Sequence, residues 1–329
     1  MISVIVATYN QEQTIARTLD SILMQQCHEP VEIVIGEDCS TDGTLTVCRQ
    51  YEQQHPDVIR VMANIKNKGV QANYFDCLLA CRGEYIADCA GDDFWTDPLK
   101  LEKELTVMQA DADVTLVHTA WNYYDETSGT STKAVTPYPH LPKMDGKQLL
   151  TSIITQTRFP VIHLCTSLYR RDVIMQAYNA DTQLFRCSDY GCEDLQVACA
   201  LAHAGTIAYL LDTTLNYSVN HNSVSNPQSE ERQFRFVKGV TALSLRLAEL
   251  YHIKNKTTDD YLSYRIFALG MHAFRAHSPQ LRDEVKQCQK EWGARPTLKY
   301  RLTMSIIQCE WTWKAFLTLR QCFVKFKSI

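Results

Sequence analysis

The chain has 329 residues, with 33 Lys and Arg against 37 Asp and Glu, for a formal net charge of -4. At 45% hydrophobic and 21% charged residues it is too apolar to be disordered and too mixed to be fibrous. The slight acidity argues against a nucleic-acid binder, and the length leaves room for two domains.

The start does not read as a secretory signal: the apolar run Ile2 to Ala7 has no basic residue before it and no small-residue cleavage site after it. No apolar run is long enough to span a membrane. The 13 cysteines are an odd number and contain no C-x-x-C pair. These features are expected of a cytoplasmic protein with reduced thiols and no zinc site.

Strands and helices alternate through the first part. Ile2 to Thr8 is a β-branched run of strand length, and Gln11 to Gln26 carries Ile15, Leu19, Ile22 and Leu23 at helical spacing. Val31 to Ile35, Val58 to Met62, Glu84 to Asp88 and Val114 to Ala120 read as further strands. Helices are expected over Thr41 to Gln53, Asn73 to Ala80 and from Asp97 to Met108, with Asp97 as cap and Pro98 at the first helical position. The alternation predicts an α/β domain with a mostly parallel sheet covered on both faces. Asp125 to Lys143, with three prolines and no periodicity, reads as a long surface loop. Val161 to Tyr169 reads as a strand with His163 and Cys165 packed in the core, and Glu193 to Ala204 as a helix. Ile207 to Leu211 and Thr214 to Val219 read as two short strands, and Asn220 to Gln228 as a polar loop. Beyond Ser229 the pattern is helical only. The tail from Arg301 to Ile329 is apolar and basic, with Trp313, Phe316, Leu319, Phe323 and Phe326 at helical spacing among lysines and arginines, and any membrane contact is expected through 311–329. It is either a docking helix on the protein's own body or an interfacial helix on an anionic membrane. Residues 1–225 form the expected catalytic domain and 226–329 a helical region, and a homo-oligomer is compatible with both.

No P-loop, no G-x-G-x-x-G and no H-E-x-x-H motif is present. Asp38 to Gly43 imitates the opening of a calcium loop, but Arg49 occupies the position that requires a bidentate Glu. What remains is acidic residues at strand ends: Thr8-Tyr9-Asn10 after the first strand, Glu37-Asp38 after the second, Ala90-Gly-Asp-Asp93 after the fourth. In an open α/β sheet, ligands bind beyond the carboxyl ends of the strands. So many carboxylates together repel one another unless a divalent cation with oxygen ligands joins them, which points to Mg2+ or Mn2+. Each piece alone also reads as a turn or a helix cap. Trp95 reads equally as a sugar-stacking platform or as core.

The ordered set Ile2-Ser-Val-Ile-Val-Ala-Thr-Tyr-Asn10, Glu37-Asp-Cys-Ser-Thr-Asp-Gly-Thr44, Asn67-Lys-Gly69, Gly83 to Trp95 and Gly191-Cys-Glu-Asp194 resembles the successive motifs of glycosyltransferase family 2. The resemblance covers roughly residues 1–220. It implies a GT-A fold with a C-terminal helical extension and an inverting transfer from a nucleotide-sugar donor, chiefly a UDP-sugar, to a saccharide or lipid-linked acceptor of a surface polysaccharide. By that likeness Thr8 and Tyr9 line the base pocket and Asp38 accepts hydrogen bonds from the nucleobase. Asn67, Lys68 and Gly69 form part of the nucleotide-side wall with Asn73 nearby. Asp92 faces the ribose or donor sugar, and Asp93 holds the metal. Asp194 is the general base with Glu193 beside it, and His221 stands at the diphosphate or metal. Ala90 departs from the pattern, because relatives often place an acid there. Two other readings stay open. One is a nucleotide-sugar-binding scaffold without catalysis. The other is a nucleotidyltransferase, which wants a glycine-rich basic loop where this chain has Asn10-Gln-Glu-Gln13.

Overall fold

A computed structural model describes residues 1–134, 143–156, 161–219 and 229–327, with side chains through Leu319. The chain divides into two compact units, Met1–Asn220 and His221–Ile329.

In the first unit the expected alternation appears in order. Strands β1 (Ile2–Thr8), β2 (Val31–Glu37), β3 (Ile59–Ala63) and β4 (Tyr85–Asp88) are linked by helices α1 (Ile15–Leu23), α2 (Thr44–Gln54) and α3 (Val70–Ala80). Strand β5 (Phe94–Trp95) and helix α4 (Lys100–Ala110) follow. Asp97 does not cap α4 as expected: the cap position is Leu99, whose N–H donates to Asp97 Oδ1 at 2.9 Å. Pro98 therefore precedes the helix by two residues.

Strand β6 (Val114–Asp125) is longer than the sequence suggests and turns back into β7 (Thr130–Lys133). The stretch read as a loop from Asp125 thus begins as a β-hairpin. Its turn is closed by Gly129 N–H on the Asp125 carbonyl, with Asp125 Oδ1 accepting from Thr127 and Ser128. Its polar residues belong to exposed strand faces. Next come β8 (Lys143–Asp145), α5 (Gly146–Thr155), β9 (Ser167–Arg170), α6 (Arg171–Ala180), α7 (Thr182–Arg186), α8 (Asp194–Ala204) and β10 (Thr206–Val219). Only the last residues of the expected strand over Val161 to Tyr169 are extended. Leu164–Thr166 form a 3-10 turn, so His163 and Cys165 lie outside the strand. The two expected short strands are one strand, β10, with register shifts around Leu210 and Thr213.

The strand order is β3-β2-β1-β4-β9-β6-β10-β5, with β7 on β6 and β8 on β10. The β3-β2-β1-β4 half is parallel, and β9 runs antiparallel to both β4 and β6. The sheet is therefore mixed. Ile2, Val4 and Val6 alternate onto one face and pack with Ile33 and Ile35 against Ile15, Leu19 and Ile22 of α1 and Leu101, Leu105 and Met108 of α4. Each such side chain removed from water contributes about 1.5–3 kcal/mol. Helix α3 covers β1 and β2 with Phe75, Cys77 and Leu78, all fully buried.

The second unit contains α9 (Glu230–Leu250), α10 (Lys256–Ala276), α11 (Pro279–Glu291), α12 (Leu298–Ile306) and α13 (Glu310–Lys327). Phe234, Ile266, Leu269, Val285, Ile307 and Trp313 form its own core. The basic tail is thus mainly α13, and its Trp313 is buried with Nε1 donating to the Phe274 carbonyl at 2.9 Å. Trp311, Phe316 and Leu319 on the same helix are exposed. Among the described residues, no helix is long and apolar enough to cross a membrane.

Candidate active site

The three loops at the carboxyl ends of β1, β2 and β4 are bound to one another. Asn10 and Cys39 both take left-handed backbone conformations, uncommon for residues with a side chain. The tight turns they make bring the first two loops together. Asn10 N–H donates to Ser40 Oγ at 2.9 Å, Thr41 N–H to Asn10 Oδ1 at 2.8 Å and Gln11 N–H to Thr44 Oγ1 at 2.8 Å. Asp42 Oδ1 accepts from Thr44 N–H at 3.0 Å. The Ser-Thr-Asp run after Cys39 is therefore stitching for the first two strand ends. The third loop is drawn in at Gly91, whose N–H donates to the Ala7 carbonyl at 3.2 Å. A Cβ there would collide with Thr8 and Gln11, so only glycine allows Asp92 to lie over the end of β1.

Asp38 is buried, and three of its roughly four acceptor positions are taken by the protein. Its Oδ1 accepts from Lys68 N–H at 2.8 Å and Asn64 Nδ2 at 2.9 Å, and Oδ2 from Gly69 N–H at 2.9 Å. Gly69, at φ 82°, permits the two consecutive amides to face one carboxylate. Asn67 Nδ2 donates to the Asp38 carbonyl at 3.1 Å, and Lys68 Nζ pairs with Asp76 at 2.8 Å. Asn73 is buried and donates to the Gly36 carbonyl at 2.7 Å. Asp38 thus organises the Asn67 to Gly69 wall. Thr8 is buried and Tyr9 is exposed at the rim.

Asp93 is buried. Its Oδ1 accepts from Ser218 N–H at 2.9 Å, while Oδ2 is buried without a hydrogen bond among the described residues. Burial first, then the charges of Asp92 and Asp194, push Asp93 well above the usual carboxylate range. An orphaned carboxylate oxygen of high proton affinity also suits a divalent cation, so the donor set fits one, although Ala90 supplies no oxygen. Asp92 is partly exposed, and its carbonyl accepts from Arg17 at 3.0 Å and Ser218 Oγ at 2.6 Å.

Glu193 and Asp194 lie at the start of α8, half-buried. Burial raises both above the usual carboxylate range, and the Asp194 charge raises Glu193 further. Asp194 acts electrostatically on Asp93 and on Asp88, which places it in the field of the β4 loop. The loop before it is tied to α3 by Gln71 Nε2 donating to the Cys192 carbonyl at 2.8 Å. His221 lies outside the described residues.

Trp95 is core: it is 1% exposed, its Nε1 donates to the Cys165 carbonyl, and the Lys100 ammonium sits 4.6 Å from its ring centroid. His163 packs against Trp121 and Tyr217, and Cys165 Sγ accepts from Ala90 N–H at 3.3 Å, directly under the acidic loop. Arg17, Gln71 and Ser218 are supports that the sequence does not single out, and Cys165, expected only as core, is a fourth. They come from four separate elements and belong to no local motif.

Residues 3–177 match the model of Glycosyl transferase family 2. The chain belongs to this family. An uncharacterized glycosyltransferase of Nostoc sp. is 30% identical over 236 residues, 70% of this chain and 69% of that protein. An uncharacterized protein of Mycobacterium tuberculosis is 41% identical over 114 residues, 35% of this chain. That match spans 33% of the mycobacterial protein's length. The crystal structure of S. aureus TarS 1-349 in complex with UDP-GlcNAc superposes with a TM-score of 0.56 at 16% identity, covering 93% of this chain and 91% of that one. It shares the GT-A fold.

Proposed function

We propose that the chain is an inverting glycosyltransferase that moves a sugar from a nucleoside diphosphate, UDP first among them, to a hydroxyl of a saccharide or lipid-linked saccharide of a surface polysaccharide. What supports this reading is that Asp38, Asp92 and Asp93 follow the carboxyl ends of β2 and β4, with Asp194 at the start of α8 acting electrostatically on Asp93. A protein of the same fold solved in complex with UDP-GlcNAc supports the donor class.

The acceptor oxygen attacks the anomeric carbon on the face opposite the diphosphate. The new C–O bond forms as the bond to the phosphate oxygen breaks, and the nucleoside diphosphate leaves with the electron pair. Asp194 takes the hydroxyl proton. Its raised proton affinity brings it nearer neutral pH, where a general base is most effective. Asp93, with Asp92 beside it and His221 as a further candidate ligand, would hold Mg2+ or Mn2+. Such a cation supplies Lewis-acid stabilisation of the leaving diphosphate. Asp38 keeps the Asn67 to Gly69 wall in place for the nucleotide, with Thr8, Tyr9 and Asn73 on the same side. The exposed apolar residues of α13, beside Lys314, suit contact with an anionic membrane surface carrying a lipid-linked acceptor.

Ala90 favours one alternative, a binding protein that retains the nucleotide site without turnover. A panel of nucleotide sugars, scored for nucleotide release with and without manganese, separates these. Release of UDP with a glycosylated product supports transfer, and release of pyrophosphate from a nucleoside triphosphate would indicate a nucleotidyltransferase. Tight UDP binding with neither outcome leaves the binding protein as the answer.

A further inference from the structure

Spacing along the chain argues against a zinc site, but that argument covers only ligands that are close in sequence. The fold brings Cys27 and His28, on the segment after α1, against Glu102 on the first turn of α4. One ligand atom from each lies within 4.8 Å of the other two. His28 Nδ1 is 2.8 Å from Glu102 Oε2 and 2.9 Å from Oε1, and the Cys27 thiol lies against the same carboxylate. We propose that Cys27, His28 and Glu102 form a binding site for a thiophilic divalent cation, zinc in the first place, with water completing a tetrahedral shell.

The geometry supports this in three ways. His28 Nδ1 and both Glu102 oxygens already converge within hydrogen-bond distance, and the Cys27 sulfur stands close by, so the three donors face one point. Zinc bonds of about 2.0–2.3 Å in a tetrahedron separate their ligand atoms by roughly 3–4 Å, so small side-chain movements suffice. One thiolate, one imidazole and one carboxylate also match zinc's borderline preference and neutralise its charge, whereas the carboxylates of Asp92 and Asp93 suit magnesium or manganese.

The frame around the triad is already built. Gln26 N–H donates to the Pro98 carbonyl at 2.8 Å and Gln25 Nε2 to the Asp97 carbonyl at 2.8 Å. Leu101 N–H donates to Gln25 Oε1 at 3.1 Å, and His28 N–H to Glu102 Oε2 at 3.1 Å. Neighbouring Glu29 pairs with the N-terminal ammonium at 2.7 Å, so this segment lies at the amino end of β1, away from the acidic rim at its carboxyl end. The ion would clip α1 to α4 and take no part in transfer. Its binding expels the Cys27 thiol proton and takes His28 as a neutral imidazole with the ring proton on the other nitrogen.

The test uses the full chain stripped with a chelator and titrated with Co2+ as a spectroscopic stand-in for zinc. The expected result is a thiolate-to-cobalt charge-transfer band that saturates near one equivalent and is bleached by Zn2+. Cys27→Ser should remove the band. His28→Ala, at an exposed position that serves if the cysteine variant misfolds, should weaken Co2+ binding by about tenfold or more. Asp93→Asn should leave the band intact, which separates this site from the proposed catalytic metal. Absence of any band, or a band that survives Cys27→Ser or is unaltered in both affinity and position in His28→Ala, overturns the proposal.

Discussion

Asp93 and Asp194 have identical side chains and different proposed tasks, one buried in the loop after β4 and the other half-buried at a helix start. Asp194→Asn should lower kcat by about 10²–10⁴, the usual contribution of a general base, while UDP still binds by calorimetry. Asp93→Asn should abolish transfer. Full turnover in Asp194→Asn would disprove the base assignment. Because Asp194 is raised, the acid limb of the wild-type pH–rate profile should lie above the ordinary carboxylate range, and activity should fall as the pH drops through it. Asp88, buried on β4 beside the Tyr74–Tyr169 hydroxyl pair, is pushed up to about 7, chiefly by desolvation. Its folded value exceeds its unfolded one, so the folded state holds the proton more tightly. Ionising it costs nothing below about pH 4, and the cost grows until about pH 7, at about 1.4 kcal/mol per unit. Asp88→Asn should therefore raise the urea midpoint more at pH 8 than at pH 5. An equal shift at both pH values would show that the carboxyl is not paying this cost.

At the scale of elements, helix α4 shows how a charged pair is kept inside. Lys100 and Glu104 are both 0% exposed and meet at 2.6 Å, with the ammonium over Trp95. Removing one partner leaves a buried group uncompensated, so Lys100→Met should cost about 3–5 kcal/mol in chemical denaturation. Lys100→Met with Glu104→Leu should recover most of that loss. If the double variant is as unstable as the single one, the pair carries more than mutual compensation. Helix α13 divides its aromatic residues between two tasks. Trp313 is locked into the core of its unit, so deletion of 311–329 would damage the fold as well as any membrane contact. Trp311→Ser, Phe316→Ser and Leu319→Ser together should keep the circular dichroism spectrum and lose co-sedimentation with anionic vesicles. Undiminished co-sedimentation would exclude this face from membrane binding.

For the molecule as a whole, each unit has its own core, and the described residues proposed for nucleotide binding all precede Val219. A 1–225 fragment should therefore bind UDP within about threefold of the full chain, roughly 0.65 kcal/mol. A much larger loss would show that the helical unit contributes to the donor site.

The sequence was sufficient for the first half of the α/β alternation, the strand-end acids and the family, because β-branched runs, helical periods and short motifs are local signals. It placed strand β7, Thr130–Lys133, inside a loop from Asp125 to Lys143, split β10 in two and did not reveal that β9 runs antiparallel to its neighbours. Hairpin turns, register shifts and strand direction depend on which strand lies alongside, and no local pattern encodes that. The same limit hid Ser218 behind Asp93, the amides of Lys68 and Gly69 on Asp38, and Glu102 beside His28. Each of these pairs joins residues far apart in the chain. Only packing the sheet and its helices brings them within hydrogen-bonding distance, where burial and charge set their chemistry.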